Sequence, residues 1–490
     1  MVLLEVVAVV VVLVLLAFYF NKDPPGLPPG PPRYPFIGCL SQNQTIEESK
    51  QFQKKYGDIF SVRIGSKTMV TICNYKTIKE AFSRYEFIDR PKWEFLNFFS
   101  NGELAGVIFR NGVPWQTLRR FLLRNLRDMG MGKSRLDDVI LREAEELVKD
   151  FKKYTHGPTF FPGSISVATL NIIWQLVASR RYDMDDEEII KFVHLVQEFQ
   201  EDITVLALPV FFPWLKYLPG PLLRRLCRED KLEANAKIGR NIMEEAVREH
   251  RASLNPDSPR DVLDEFLLEM ENQKNDPNSV FNEQDLIKTI FDLFTAGYDT
   301  TSNMLRWVIL HMANQPEVQR RVQHELDKVV GRATLPSHVH RSQLPYLDAT
   351  INEVLRVSAV ASNGVPHAAV HDTYLDQHFI PKGTIVVGNI GFCHSDPNYW
   401  DEPEEFRPER FLNESGKLSV PKEAFLPFGI GKRSCLGEAL ARMELYVFSA
   451  ALLQNFTFGV PEGRSVDFSP RFFPGNNFPK DQEIVIKLRH

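Results

Sequence analysis

Cysteine is scarce in this chain. Among 490 residues there are five, Cys39, Cys73, Cys227, Cys393 and Cys435, with no Cys-x-x-Cys pair and no cluster, so neither a zinc site nor a disulfide framework gains support. An excess of one charge is also missing. The net charge of -5 gives no reason to expect a nucleic-acid partner. The length admits two or three domains, but the sequence has no internal repeat and no long Gly/Ser linker. One large catalytic domain over 39–490 is therefore expected. At 43% apolar and 25% charged residues the composition is that of an ordinary globular chain with a large core. No cation precedes the apolar run from Val2 to Phe20, which only Glu5 interrupts; the first is Lys22. A cleaved signal would need a basic start and a small-residue cleavage site. The run, about 20 residues and enough to span a bilayer, is expected to be a membrane anchor over 1–21. Lys22 and Arg33 then face the cytosol by the positive-inside tendency, which suits unpaired cysteines. The stretch Pro24 to Pro32 is too rich in proline for helix or strand and reads as a stiff spacer in a hinge over 22–38.

Of the five cysteines, Cys435 alone sits in a specialised loop, Phe428-Gly-Ile-Gly-Lys-Arg-Ser-Cys-Leu-Gly437. A cysteine must be ionised to ligate a metal, and nearby cations and a helix N-terminus favour the anion. Lys432 and Arg433 are expected to supply the charge, and the apolar-periodic segment from Glu438 the helix. Gly429, Gly431 and Gly437 let the backbone turn tightly and approach a flat cofactor closely. Haem has that shape.

The loop meets in full the signature Phe-x-x-Gly-x-Arg-x-Cys-x-Gly, and the chain thereby resembles the cytochromes P-450, the haem-thiolate monooxygenases. The resemblance covers everything after the anchor and implies the family's mainly α fold with minor β. It makes Cys435 the axial ligand of the iron of haem b, where thiolate donation favours O–O cleavage. It places Arg433 on a haem propionate and Phe428 against the cofactor. Trp115 and Arg119 match the family's Trp-x-x-x-Arg, and His367, in Val365-Pro-His, stands where the branch containing vertebrate drug-metabolising and arthropod enzymes has a propionate-binding histidine. Glu353 and Arg356 share a helix face. With Arg410, in Arg407-Pro-Glu-Arg-Phe411, they match the buried charge network that fixes the haem face.

Asn282 and Asp285 make an N-cap with first-turn negative charge, and the pattern runs to Asn314 before Gln315-Pro316, predicting a helix of about 30 residues and ~45 Å. In its middle lies Ala296-Gly-Tyr-Asp-Thr-Thr-Ser302, rich in poor helix formers. Ala296 and Gly297 are expected to leave room for the cofactor. By resemblance this is the oxygen-binding groove, with Thr300 and Asp299 as catalytic residues: Thr300 holding water or hydroperoxide, Asp299 relaying protons. A core helix whose hydroxyls bond to the preceding turn is the alternative. Elsewhere, Phe60–Gly65 and Thr68–Cys73 predict a hairpin, and Thr384–Val387 and Glu483–Leu488 predict strands.

Apolar residues gather where the family draws its pocket, among them Phe98, Phe99, Val107, Leu206, Phe294, Ala361, Val365 and Phe473, and predict a lipophilic substrate. Small residues after Arg356 leave space near iron. The stretch Leu208 to Trp214 is expected to dip into the membrane. Arg119, Arg120, Arg124 and Arg127, with Lys432 and Arg433, form a candidate basic face for a flavoprotein reductase that carries electrons from NADPH. Cytochrome b5 is a second candidate partner. The family implies the endoplasmic reticulum membrane, with the domain on the cytosolic side. Rival functions are a haem-thiolate isomerase or dehydratase, which needs no reductase, and a haem sensor or carrier.

Overall fold

The computed structural model describes residues 5, 7, 11–12, 24–39, 45–93, 95, 104–130, 134–473 and 475–489. The fold is mainly helical with small sheets at its margins. The anchor expected at 1–21 lies almost wholly outside the described residues. Among those described, no helix is long and apolar enough to cross a membrane.

The predicted hairpin is present as β1 (Ile59–Ile64) and β2 (Lys67–Ile72), one residue offset from expectation, turning at Gly65 and Ser66. β2 pairs in parallel with β4 (Ile385–Gly388), which pairs antiparallel with β3 (His367–Ala368). The proline-rich segment, expected as a stiff spacer, is docked on this sheet and on the strand His378–Ile380. Ser61 donates its amide to Pro29 at 2.8 Å, and Phe379 donates to Gly26 at 2.8 Å. A Cβ on Gly30 would meet the Ser61 carbonyl at 1.8 Å, so only glycine lets the chain lie this close. The strand expected near the C-terminus, Ile484–Leu488, joins a three-stranded sheet with Pro158–Thr159 and Phe456–Gly459.

The helices that position the site are α1 (Tyr75–Ser83), α2 (Gly112–Asp128), α3 (Ser164–Ala178), α4 (Glu187–Leu206), α5 (Glu229–Ser253), α6 (Val262–Asn272), α7 (Glu283–Asn314), α8 (Pro345–Ser358), α9 (Ile390–His394) and α10 (Glu438–Asn455). α7 is the predicted long helix, 32 residues, and the Asn282 side chain caps it by accepting from the Asp285 amide. It is buried on nearly every face, as is α3 beside it. A helix apolar and enclosed all round belongs in the core of a large domain. Two carboxylates of α7 also hold the loop before α2. Asp292 accepts from the Val107 and Ile108 amides at 2.8 and 3.0 Å, and Asp285 pairs with Arg110 at 2.7 Å.

Candidate active site

Cys435 is held by its backbone. Its amide donates to the Phe428 carbonyl at 2.9 Å, and Ser434 donates to Gly431 at 3.1 Å. Gly429 and Gly431 have φ of +71° and +82°, and a Cβ on Gly431 would lie 2.1 Å from the Phe82 carbonyl, so the loop can press on α1 only with glycine there. α10 begins directly after Gly437, as predicted. The Cys435 residue is accessible, yet protein surrounds the sulfur closely enough that burial raises its pKa. The Gly437 amide and Arg119 act in the opposite direction, and Glu438 adds to the rise. The residue is thus exposed at its surface while its thiol is largely enclosed by protein.

The cation acting on that sulfur is not one of those beside it in sequence. Lys432 sits 3.1 Å over the Tyr85 ring, and Arg433 stacks 3.7 Å over Trp115 while donating to the carbonyls of Ile88 and Arg110. Successive side chains on a tight turn diverge. Arg119, one turn after Trp115 on α2, reaches Cys435 instead and donates to the Ser434 carbonyl at 2.7 Å.

Arg433, Arg119 and a third arginine, Arg90, form one cationic cluster. Arg90 is buried, donates to the Val365 carbonyl at 2.6 Å, and its Nε has no partner. Burial, then the charges of Arg433 and Arg119, push its pKa well below the usual arginine range. Arg433 is pulled down to about 9, by burial first, with Asp89 offsetting part of the effect and Arg119 adding to it. Among the described residues none of the three makes an ion pair. Buried cations at close quarters need an anion. His367 lies nearby, stacked 3.9 Å from Phe82, with Nδ1 2.6 Å from the Phe87 carbonyl and Nε2 without a partner among the described residues. Burial, then Arg90, lowers its pKa. An accessible cysteine beside a cluster short of negative charge fits a haem with its two propionates. Arg90 was invisible to sequence reasoning because its partners lie hundreds of positions away.

Glu353, Arg356 and Arg410 are brought together as expected. Arg356 pairs with Glu353 by two bonds of 2.7 and 2.8 Å, and Arg410 reaches the same carboxylate at 3.2 Å. Arg356 also donates to the carbonyls of His394, Pro403 and Glu405. Glu353 and Arg356 are 0% and 1% exposed.

In the middle of α7, Ala296 and Thr300 are four residues apart on one face and both retain accessible surface. Thr300 donates to the Ala296 carbonyl at 2.7 Å, the bond of the alternative reading. Gly297 has a different use from the one expected. A Cβ there would lie 2.6 Å from the Ile173 side chain, so the glycine lets α3 approach α7. Asp299 is buried and turned to α4, from which Gln200 donates to it at 2.9 Å, while Asn303, one turn on in α7, donates at 3.0 Å. Burial raises its pKa, against those two bonds and the charges of Arg306 and Arg471. Asp299 and Thr300 are therefore adjacent in sequence but occupy different surroundings.

Of the pocket residues, Phe98 and Phe99 lie outside the described residues, as does the Phe473 side chain. Ala361 is partly exposed and Val365 is 40% exposed. Val107 and Leu206 are buried. Phe294 is 0% exposed and packs 4.2 Å from Trp174 by ring centroids, which places it in the core and not at a surface a substrate could touch.

Residues 28–480 match the family model described as cytochrome P-450. Cytochrome P-450 2L1 of Panulirus argus is 42% identical over 480 residues, covering 96% of this chain and 97% of that protein. Cytochrome P-450 2G1 of Oryctolagus cuniculus is 36% identical over 97% of this chain and 96% of its own length, and cytochrome P-450 2B19 of Mus musculus is 36% identical over 93% of each.

Proposed function

The chain belongs to the cytochrome P-450 family, and on that premise we propose that Cys435 is the thiolate ligand of its haem iron, with Arg90, Trp115, Arg119, His367 and Arg433 around the propionates. As a member of that family it is a haem-thiolate monooxygenase acting on lipophilic substrates, with haem b as cofactor and electrons from NADPH through a reductase. When bound, the haem supplies reductive activation of O₂ and insertion of one oxygen atom into the substrate. The observation that carries the assignment is the exposed Cys435 residue beside Arg90, Arg119 and Arg433, which make no ion pair among the described residues.

The protein's own part is to orient, to exclude water and to move protons. Phe428 and Ala296 bound the cofactor from the cysteine loop and from α7. Thr300 holds a water in the groove once its bond to Ala296 is exchanged, and Asp299, kept protonated more readily by burial, feeds protons toward it. Ala361 and Val365 line the pocket with Val107 and Leu206. Glu353, Arg356 and Arg410 act structurally. Arg120, Arg124 and Arg127 are exposed on α2 and form the reductase docking face, which cytochrome b5 shares.

Residues 1–21 anchor the chain in the endoplasmic reticulum membrane with the domain in the cytosol. A rim of exposed apolar residues supports this placement: Trp214 and Tyr217, beside Phe36 and Ile37. The two segments meet at the β1–β2 turn, where the Ser66 amide donates to Phe211 at 2.7 Å and the Gly65 amide to Ile37 at 2.8 Å.

The test is the ferrous, carbon-monoxide-bound spectrum. A thiolate-type Soret band is expected, and its persistence in Cys435→Ala would refute the ligand. Thr300→Ala is expected to keep consuming NADPH while the electrons appear as hydrogen peroxide instead of product; unchanged coupling would remove Thr300 from proton delivery.

A further inference from the structure

His394, the last residue of α9, joins two parts of the molecule that no sequence pattern connects. The Arg356 guanidinium donates to the His394 carbonyl at 2.8 Å, and the His394 Nδ1 lies 3.0 Å from the Arg356 carbonyl, so the two residues bond reciprocally. On the other side of the ring, the Leu426 amide donates to Nε2 at 2.8 Å. An amide N–H can only donate, so Nε2 carries no proton and the ring proton sits on Nδ1, facing the Arg356 carbonyl. Every polar atom of the ring is satisfied, and the tautomer is fixed. The ring is buried, and its pKa falls to about 3, chiefly through burial, with the bond to Arg356 opposing and the Arg356 charge assisting. It is therefore a neutral linker in the working pH range.

Leu426 starts the approach to the cysteine. Its carbonyl accepts from the Gly429 amide at 2.9 Å, and two residues further on the Phe428 carbonyl accepts from the Cys435 amide at 2.9 Å. One unbroken series of hydrogen bonds and short backbone steps thus runs from the Glu353 carboxylate through Arg356, His394, Leu426 and Phe428 to Cys435. Gly429 and Gly431, both at positive φ, turn the loop between these two bonds. We infer that His394 is a positioning residue that carries the geometry of the Glu353–Arg356 pair into the cysteine loop and so sets where the sulfur is presented to iron. This rests on Cys435 being the ligand.

Two substitutions divide the ring's functions. In His394→Gln the side-chain oxygen reaches the level of Nε2 and can accept from Leu426. In His394→Asn the side-chain amide stays at the level of Nδ1, can donate to Arg356, and leaves the Leu426 amide buried without an acceptor. Each variant is prepared as haem-loaded full-length protein and read by ferrous carbon-monoxide spectroscopy, thermal unfolding and hydrogen exchange over residues 424–431. The Asn variant is expected to lose a large share of its thiolate-type band and to exchange the Leu426 amide roughly tenfold faster. The Gln variant is expected to keep both close to the parent. The inference is overturned if the Asn variant retains the full band, or if both variants lose it equally and in step with their melting temperatures, the mark of general packing damage. It also fails if the Leu426 amide of the unsubstituted protein exchanges freely, a measurement that needs no variant. A parent protein without a thiolate-type band would instead refute Cys435 as ligand.

Discussion

Two clusters of arginines flank the cysteine loop, and they are built on opposite principles. In the first, Arg356 and Arg410 share the Glu353 carboxylate, and their remaining donors end on backbone carbonyls. In the second, Arg90, Arg119 and Arg433 crowd together without an ion pair among the described residues, and their charges oppose one another. The first is complete without any ligand. The second is complete only when something brings negative charge. The difference separates scaffold from binding site more sharply than burial does, since Arg356 and Arg90 are both buried.

The comparison breaks most violently if the first cluster is turned into the second. Glu353→Gln removes the shared anion and leaves Arg356 and Arg410 as buried cations facing a neutral amide. It is expected to cost on the order of 3–5 kcal/mol of stability, read by chemical denaturation, with little folded haem protein recovered. A loss below about 1 kcal/mol, the scale of an exposed pair, would mean the carbonyl acceptors alone carry the arginines.

A smaller substitution sharpens it. Arg90→Met takes one charge from the crowded cluster, so its effect should change sign with the cofactor. Haem-free protein is expected to unfold at an equal or higher temperature than the parent, because a repelling cation has gone. Haem-loaded protein is expected to lose its cofactor faster, by about 1.5–3 kcal/mol of a charged hydrogen bond, in a haem-transfer assay. A variant equally damaged with and without haem would make Arg90 scaffold after all.

The two clusters also differ in how far the sequence reveals them. Glu353 and Arg356 are one helical turn apart, and the ten-residue cysteine loop is contiguous, so both could be matched to the motifs of the family the chain resembles. The long helix from Asn282 to Asn314 was legible to the residue because its cap, its periodicity and its terminating Gln315-Pro316 are all local signals. Arg90 and His394 carried no such signal: their partners are Val365 and Leu426, 275 and 32 positions away. Adjacency misled where the backbone turns. Lys432 and Arg433 precede Cys435 closely but point to Tyr85 and Trp115, and the charge on the sulfur comes from Arg119. Gly297 shows the same limit, since its smallness serves the contact of α7 with Ile173, which sequence alone does not place there.

A third cluster, with its histidine and both carboxylates buried, tests whether the charge balance itself is what matters. His250 at the end of α5 and Asp261 at the cap of α6 lie 2.9 Å apart, and Asp264 is held by the Arg260 fork at 2.7 and 2.9 Å. The second ring nitrogen of His250 lies 2.9 Å from the Ala246 carbonyl. Both ring nitrogens face acceptors, so both carry protons, and two cations balance two carboxylates. Burial opposes the charge on His250, but Asp261 and the Ala246 carbonyl outweigh it and raise the pKa above 6.5. A histidine whose pKa is higher in the folded state stabilises fully below its unfolded value and loses that contribution as pH rises through the folded one. The melting temperature of the parent should therefore exceed that of His250→Gln most below about pH 6.5, with the gap closing on the alkaline side. A gap that widened with pH would mean the ring is neutral in the fold, and the cluster would then carry a net negative charge tolerated without a ligand, against the rule drawn from the two arginine clusters.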